Sequence, residues 1–175
     1  AATCLGELAR DRPCGAHVPH PCARSLSCCR WVREDVRHGP LRTVDAAHRL
    51  VVLTGGDPLL QVDAALIAAL HARSFRIAVE SNGTVAAPEG IDWLCISPKA
   101  GAPWLQRSGQ ELKVVWPQPG LDLDALQAGG PFAHRSLQPM DGPAQADHIA
   151  LCIDTCMRRP GWRLSLQTHK LTGIR

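Results

Sequence analysis

Five short clusters in the sequence carry groups able to grip a small charged ligand. They are Thr54-Gly55-Gly56-Asp57-Pro58, Glu80-Ser81-Asn82-Gly83, Ser97-Pro98-Lys99, Gln138-Pro139-Met140-Asp141 and Gln167-Thr168-His169-Lys170. Adjacent glycines let backbone donors and acceptors approach a ligand closely. Carboxylates, amides, hydroxyls and an ammonium nearby supply matching hydrogen bonds and charge. A second kind of chemistry is suggested by cysteine: five of the eight (Cys4, Cys14, Cys22, Cys28 and Cys29) fall within the first 29 residues. Thiolates of this kind hold zinc or iron–sulfur clusters.

Each polar cluster follows an apolar run. Leu50–Leu53, Phe75–Val79, Trp93–Ile96, Leu112–Trp116, Ser136–Leu137 with its neighbours, and Trp162–Leu166 read as buried strands. Between the first two, Pro58 to Ser74 carries apolar residues at helical spacing behind a helix-opening proline and predicts a helix. Asp122 to Ala128 and Ala144 to Met157 predict two more, the latter stopped by Pro160 and Gly161. Strands alternating with helices imply a parallel sheet with right-handed crossovers, and ligands of such sheets sit at the carboxyl ends of the strands. The five clusters are therefore expected at one mouth. Polar capping residues of ordinary loops account for one or two such clusters better than for five.

Composition narrows the function classes. The 175 residues are 45% hydrophobic and 20% charged, in globular proportion, and the formal net charge of +3 announces neither a nucleic-acid nor a membrane surface. No apolar run approaches the roughly 18 residues a membrane helix requires, and the N-terminus lacks a signal-peptide pattern. A soluble cytoplasmic protein is the expectation, with no direct nucleic-acid or membrane partner. Residues 1–47 differ from the rest: rich in Arg, Cys, His and Pro, without Ile or Phe, and without sustained periodicity.

The ordered motifs Thr54-Gly55-Gly56-Asp57-Pro58, Glu80-Ser81-Asn82-Gly83-Thr84, Ile91 to Ala100, Glu111-Leu112-Lys113, Gln138 to Pro143 and Trp162 to Lys170 resemble the 7-carboxy-7-deazaguanine synthases. These are radical S-adenosylmethionine (SAM) lyases of queuosine biosynthesis, a tRNA modification pathway. The resemblance runs from about His48 to Arg175. It implies a partial (β/α) barrel of radical SAM type, here without a recognisable first strand or cluster loop. It also implies SAM, a [4Fe–4S] cluster and Mg²⁺ as cofactors. The expected reaction converts 6-carboxy-5,6,7,8-tetrahydropterin to 7-carboxy-7-deazaguanine and ammonia by a SAM-dependent radical ring contraction. A flavodoxin or ferredoxin as electron donor and a homodimer are the implied partners.

By resemblance, Gly56, Ser97, Pro98, Lys99 and the run Gln138, Pro139, Met140 and Asp141 would hold SAM. Thr54 and the terminal Arg175 would reach the pterin. The family motif usually ends in Glu, so Asp57 places its carboxylate on a shorter arm, which is expected to alter binding modestly. Glu80 and Asn82 are candidates for pterin contact or for support and turn formation. His169 is either a proton donor or a hydrogen-bonded structural histidine.

The metal ligands do not follow the family pattern, which places a Cys-x-x-Cys pair in the loop after the first strand. No such pair occurs anywhere in this chain. Cys14 and Cys29 reproduce one spacing found in the family, but the third ligand would fall at Val32, so the spacing reads as chance. The threonine that binds Mg²⁺ in the family is absent with that block. Cys95, Cys152 and Cys156 read as core cysteines. For residues 1–47 two readings stand: a zinc or diverged cluster module built on Cys14, His17, His20, Cys22, Cys28 and Cys29, or non-native sequence from an out-of-frame reading of a GC-rich gene. The second is preferred. The alternative to an enzyme is a non-catalytic SAM- or pterin-binding remnant or a zinc-binding partner protein.

Overall fold

Apolar residues at alternate positions of short runs separated by capped helices leave a parallel sheet as the natural way to satisfy the backbone. The computed structural model describes residues 3–4 and 49–173. Seven strands follow one another across one sheet in sequence order, every neighbouring pair parallel. They are β1 (Thr3–Cys4), β2 (Leu50–Leu53), β3 (Arg76–Ser81), β4 (Trp93–Ile96), β5 (Gly109–Trp116), β6 (Phe132–Pro139) and β7 (Arg163–Leu164). No pairing among the described residues joins β7 back to β1, so the sheet is a partial barrel.

The sequence shows no strand pattern before His48. In the structure the backbone of Thr3–Cys4 nevertheless lies beside β2, with Thr3 opposite Val51 and Cys4 opposite Val52. The edge of β2 is therefore partly paired. Other strands differ in length from the apolar runs. β5 and β6 extend to eight residues each, because pairing between them runs from Gly109–Phe132 to Trp116–Pro139 and carries polar residues into the ladder. β7 contracts to two residues.

The segment predicted as one helix from Pro58 to Ser74 divides in two. Asp57 caps a 3₁₀ turn at Pro58–Leu60, the chain breaks at Gln61, and Asp63 caps a fresh α-helix, α1 (Ala64–His71), by accepting the Leu66 N–H at 2.8 Å. Two caps six residues apart compete with helix continuity, and both are satisfied. The second helix, α2 (Leu123–Ala128), starts on the Asp122 cap. The third, α3 (Gln145–Arg158), ends ahead of Pro160 as expected. A short helix, α4 (Thr168–Thr172), forms where the sequence indicated a strand-end loop, closed by Gly173 in the left-handed region at φ 69°.

One face of the sheet is the apolar core. Ile77, Val79, Ile96, Leu112, Val114 and Leu137 alternate along β3 to β6 and are completely or nearly completely buried against Leu59, Leu66, Ile67, Leu70, Leu126, Cys152 and Trp162. Each such aliphatic side chain contributes about 1.5–3 kcal/mol by leaving water. The opposite face is different. Register sets Glu80 beside Cys95, Cys95 beside Glu111, and Lys113 beside Ser136, forming a polar row across four strands.

Candidate functional site

The polar row ends at the carboxyl edge of the sheet, where Thr54 leaves β2 and Glu80 lies one residue from the end of β3. Lys113 Nζ donates to Glu80 Oε1 at 2.7 Å, and Thr54 Oγ1 lies 3.5 Å from Glu80 Oε2. Deeper on the same face, the Ser136 hydroxyl donates to Glu111. Lys113 is held above the ordinary lysine range. Burial opposes its charge, and Cys95, Glu80 and Glu111 around it outweigh that opposition. The inner face thus presents a fixed cation between two carboxylates, suited to orienting a polar heterocycle rather than an apolar one.

Above this row lies the Gly55-Gly56 turn. Both glycines are exposed and have positive φ, 92° and 58°. A left-handed pair is accessible to glycine at low cost, and neither residue has a side chain to cover its backbone. Asp57, by contrast, is turned into the protein. Its Oδ1 accepts the Ser81 hydroxyl at 2.8 Å and the Leu59 N–H at 3.2 Å, and its Oδ2 accepts the Thr84 hydroxyl at 3.2 Å.

The Ser97-Pro98-Lys99 loop follows β4. The Ser97 N–H donates to Ser81 O at 2.7 Å, and the Ala100 N–H donates to Gln118 Oε1 at 2.7 Å, which pins the loop at both ends. Pro98 is buried. Lys99 Nζ donates to Ser97 Oγ at 2.8 Å. Desolvation first, and then the charge of Lys113, pushes Lys99 below the usual lysine range. Two ammonium groups on one mouth favour an anion between them.

After β6, Gln138 is half-buried opposite Val115, while Pro139 is buried opposite Trp116. Met140 is fixed through its backbone: its N–H donates to Trp116 O at 2.9 Å and its carbonyl accepts from His148 Nδ1 at 2.9 Å. Asp141 is exposed and ion-paired with Lys170, which holds its carboxyl below the usual carboxylate range. That pair joins the β6 loop to α4, on which His169 is exposed. Pro139 and Gln167 also line a shallow cleft with Gln145, Ile149, Leu166 and Leu171, between α3 and the C-terminal segment.

The structure therefore sets the sequence-selected residues Thr54, Gly56, Ser97, Pro98, Lys99, Gln138, Pro139, Met140 and Asp141 at or beside the carboxyl ends of β2, β4 and β6, alternate strands of the sheet. Arg175, Cys14 and Cys29 lie outside the described residues. Lys113 and Lys170 stand in motifs picked out from the sequence, but neither they nor Ser136 were assigned a role of their own there. The signal for Lys113 was present in the charged residues at alternate positions of an otherwise apolar strand, Glu111 and Lys113. Asp57 was read as facing a ligand, whereas its carboxylate is taken up by the chain itself.

Donors for a metal cluster are another matter. Among the described residues no group of three or more His, Cys, Asp or Glu side chains is placed to hold a metal ion. Cys95 and Cys152 are buried and Cys156 half-buried, as their sequence positions suggested. Burial pushes the Cys95 thiol up to about 12 and the Cys152 thiol up to about 11, far from the thiolate form that binds iron. The described residues thus do not fit a [4Fe–4S] cluster. Among them no helix is long and apolar enough to cross a membrane.

No family model matches the chain. Curated proteins do. The chain is 58% identical over 133 residues to the 7-carboxy-7-deazaguanine synthase of Bradyrhizobium diazoefficiens, covering 76% of this chain and 63% of that protein. It is 56% identical over 126 residues to the synthase of Caulobacter vibrioides, covering 72% of this chain and 60% of that protein. The chain thus spans about three fifths of the length of these relatives. Among solved structures, the crystal structure of QueE from Escherichia coli superposes with a TM-score of 0.56 at 27% identity, covering 78% of this chain and 61% of that one. Sequence likeness at this level and a shared partial barrel agree: over the matched region, the chain belongs to the 7-carboxy-7-deazaguanine synthase family.

Proposed function

We propose that the strand-end mouth binds SAM and a pterin, and that the protein acts as a 7-carboxy-7-deazaguanine synthase. The substrate would be 6-carboxy-5,6,7,8-tetrahydropterin and the products 7-carboxy-7-deazaguanine and ammonia. Loss of ammonia alone balances the atoms of this ring contraction, so it requires no net oxidant. The observation that supports the proposal is that the Gly55-Gly56 turn, Lys99 and the Gln138–Asp141 run lie at the same, carboxyl edge of an all-parallel sheet as the row Thr54–Glu80–Lys113.

In this reading the Gly56 backbone receives the amino-acid end of SAM, Ser97 and Lys99 its carboxylate, and Gln138 to Asp141 its ribose and adenine. SAM supplies the group from which the radical is generated. Thr54 and Glu80 hydrogen-bond the pterin ring, Lys113 holds the Glu80 side chain in place through their ion pair, and Arg175 reaches toward the same ring. A cytoplasmic homodimer served by a flavodoxin or ferredoxin completes the reading. No step is drawn through the cluster or Mg²⁺, whose ligands are not among the described residues.

Calorimetric titration of the full chain with SAM tests the pocket, and product formation after anaerobic iron–sulfur reconstitution tests the reaction. A chain that binds neither SAM nor pterin would sink the proposal. Retained SAM binding without product would favour the second reading, a non-catalytic SAM- or pterin-binding remnant. That reading draws on the missing ligand trio among the described residues.

A further inference from the structure

The two loops that Asp57 joins are unequally anchored. The loop after β3 is fixed without it. Gly83 is buried, and a Cβ there would stand 2.8 Å from Ile96 Cγ2. Its carbonyl accepts the N–H groups of both Leu105 and Gln106 at 2.9 Å, and its own N–H donates to Ser81 Oγ at 3.0 Å. Thr84 is further held through its N–H, which donates to Asn82 Oδ1 at 2.8 Å. The Gly55-Gly56 turn after β2 has the opposite character: two exposed residues, no side chains, and φ values that only a glycine pair adopts freely.

Asp57 bridges them. A carboxylate offers about four acceptor positions, and three are occupied by Ser81, Thr84 and the Leu59 N–H. Oδ1 serves two donors at once, one from each loop, so the carboxylate's position is set by both. Its N-capping of the 3₁₀ turn fixes the chain on the far side of the glycines. Between β2 and this cap the glycines have little room to rearrange.

We propose that Asp57 is a positioning residue: it clamps the Gly55-Gly56 turn onto the rigid Ser81–Thr84 loop, leaving the turn's backbone, rather than its own carboxylate, to meet the cationic end of a ligand. The ligand half of this inference rests on the reading of the mouth as a SAM site; the clamp does not. Ser81 and Thr84 then act on the ligand only through Asp57.

The test uses the full chain with Asp57→Asn, Ser81→Ala, Thr84→Val, Thr84→Ser and the Asp57→Asn/Ser81→Ala double variant. Two quantities are read: amide hydrogen exchange at Leu59 and Gly83 without ligand, and the dissociation constant for SAM. Exchange at Leu59 is expected to quicken roughly tenfold in Asp57→Asn and Ser81→Ala, as loss of one charge-assisted hydrogen bond implies. SAM affinity falls in parallel in both, the double variant is no worse than Asp57→Asn alone, and Thr84→Ser restores what Thr84→Val loses. Weakened SAM binding in Asp57→Asn with Leu59 exchange unchanged would overturn the clamp and make Asp57 a direct ligand. Additive losses in the double variant would overturn it too. Wild-type chain that binds no SAM would defeat the proposed function and the ligand half of the inference, while the exchange data would still decide the clamp.

Discussion

At the scale of single residues, the site is organised by hydrogen bonds between side chains far apart in sequence. Lys113 and Glu80 are one such pair, with the lysine side chain 15% and the carboxylate 42% exposed. Screening at the open side limits the pair, so Lys113→Met is expected to cost about 1 kcal/mol by denaturant titration. A double-mutant cycle with Glu80→Gln should return a coupling of about 0.5–1 kcal/mol, and a coupling of zero would mean that the contact contributes no stability. Asp92 gives a pH prediction. Its carboxylate accepts the Ile77 N–H at 2.7 Å, the main reason that its pKa is lowered from 3.8, and it also pairs with His71 at 3.1 Å. A folded-state pKa below the unfolded one contributes stability that is present above 3.8 and is lost as pH falls through the lower value. The unfolding midpoint should therefore decline on that acid limb, and Asp92→Asn should flatten the decline relative to wild type. Lys113 could be suspected from alternation within its own strand. Its partner Glu80 could not, because which carboxylate it meets depends on strand order and register.

At the scale of elements, caps and close approaches decide what the apolar pattern leaves open. The α2 and α3 segments were legible because each has an apolar face with a cap or a proline at one end. The Pro58–Ser74 segment was not legible as two pieces: its apolar residues keep helical spacing through the break, and only the competing caps Asp57 and Asp63 divide it. Asp63→Ala is expected to cost about 1 kcal/mol of stability through the α1 cap, measurable by thermal unfolding. The loop between β4 and β5 shows the other control. Trp104 stacks near Phe132 and crowds Gly129, while a Cβ at Gly130 would lie 1.8 Å from the Arg107 carbonyl oxygen. Gly130→Ala must push that loop off the sheet and is expected to lower the unfolding midpoint sharply. Gly161→Ala meets nothing within 4 Å and serves as the comparison. Equal effects of the two substitutions would contradict this packing.

At the scale of the molecule, the sheet ends on two very short strands. β1 and β7 are two residues long, which limits the unpaired ladder each edge offers to another chain. Removing residues 1–4 would bare all of β2, and sedimentation velocity should then show increased self-association relative to the full chain. The parallel order and the converging strand-end loops were legible from alternation of apolar runs, helices and polar clusters, since each link is local. The β1 pairing was not, because Thr3–Cys4 carries no pattern of its own and is recruited by the exposed edge of β2.

Strand order has a consequence for how the protein is made. From β2 onward every strand pairs with the next one synthesised, and short stretches of chain separate them. Each new unit can therefore dock on a template already in place as it leaves the ribosome, at low loop-closure cost. β1 alone must wait for a partner across the longest intervening stretch of any pairing in the sheet. From β2 to β7 the sheet is thus built in the direction of translation, and among the described strands β1 is the one whose pairing carries the largest loop-closure cost.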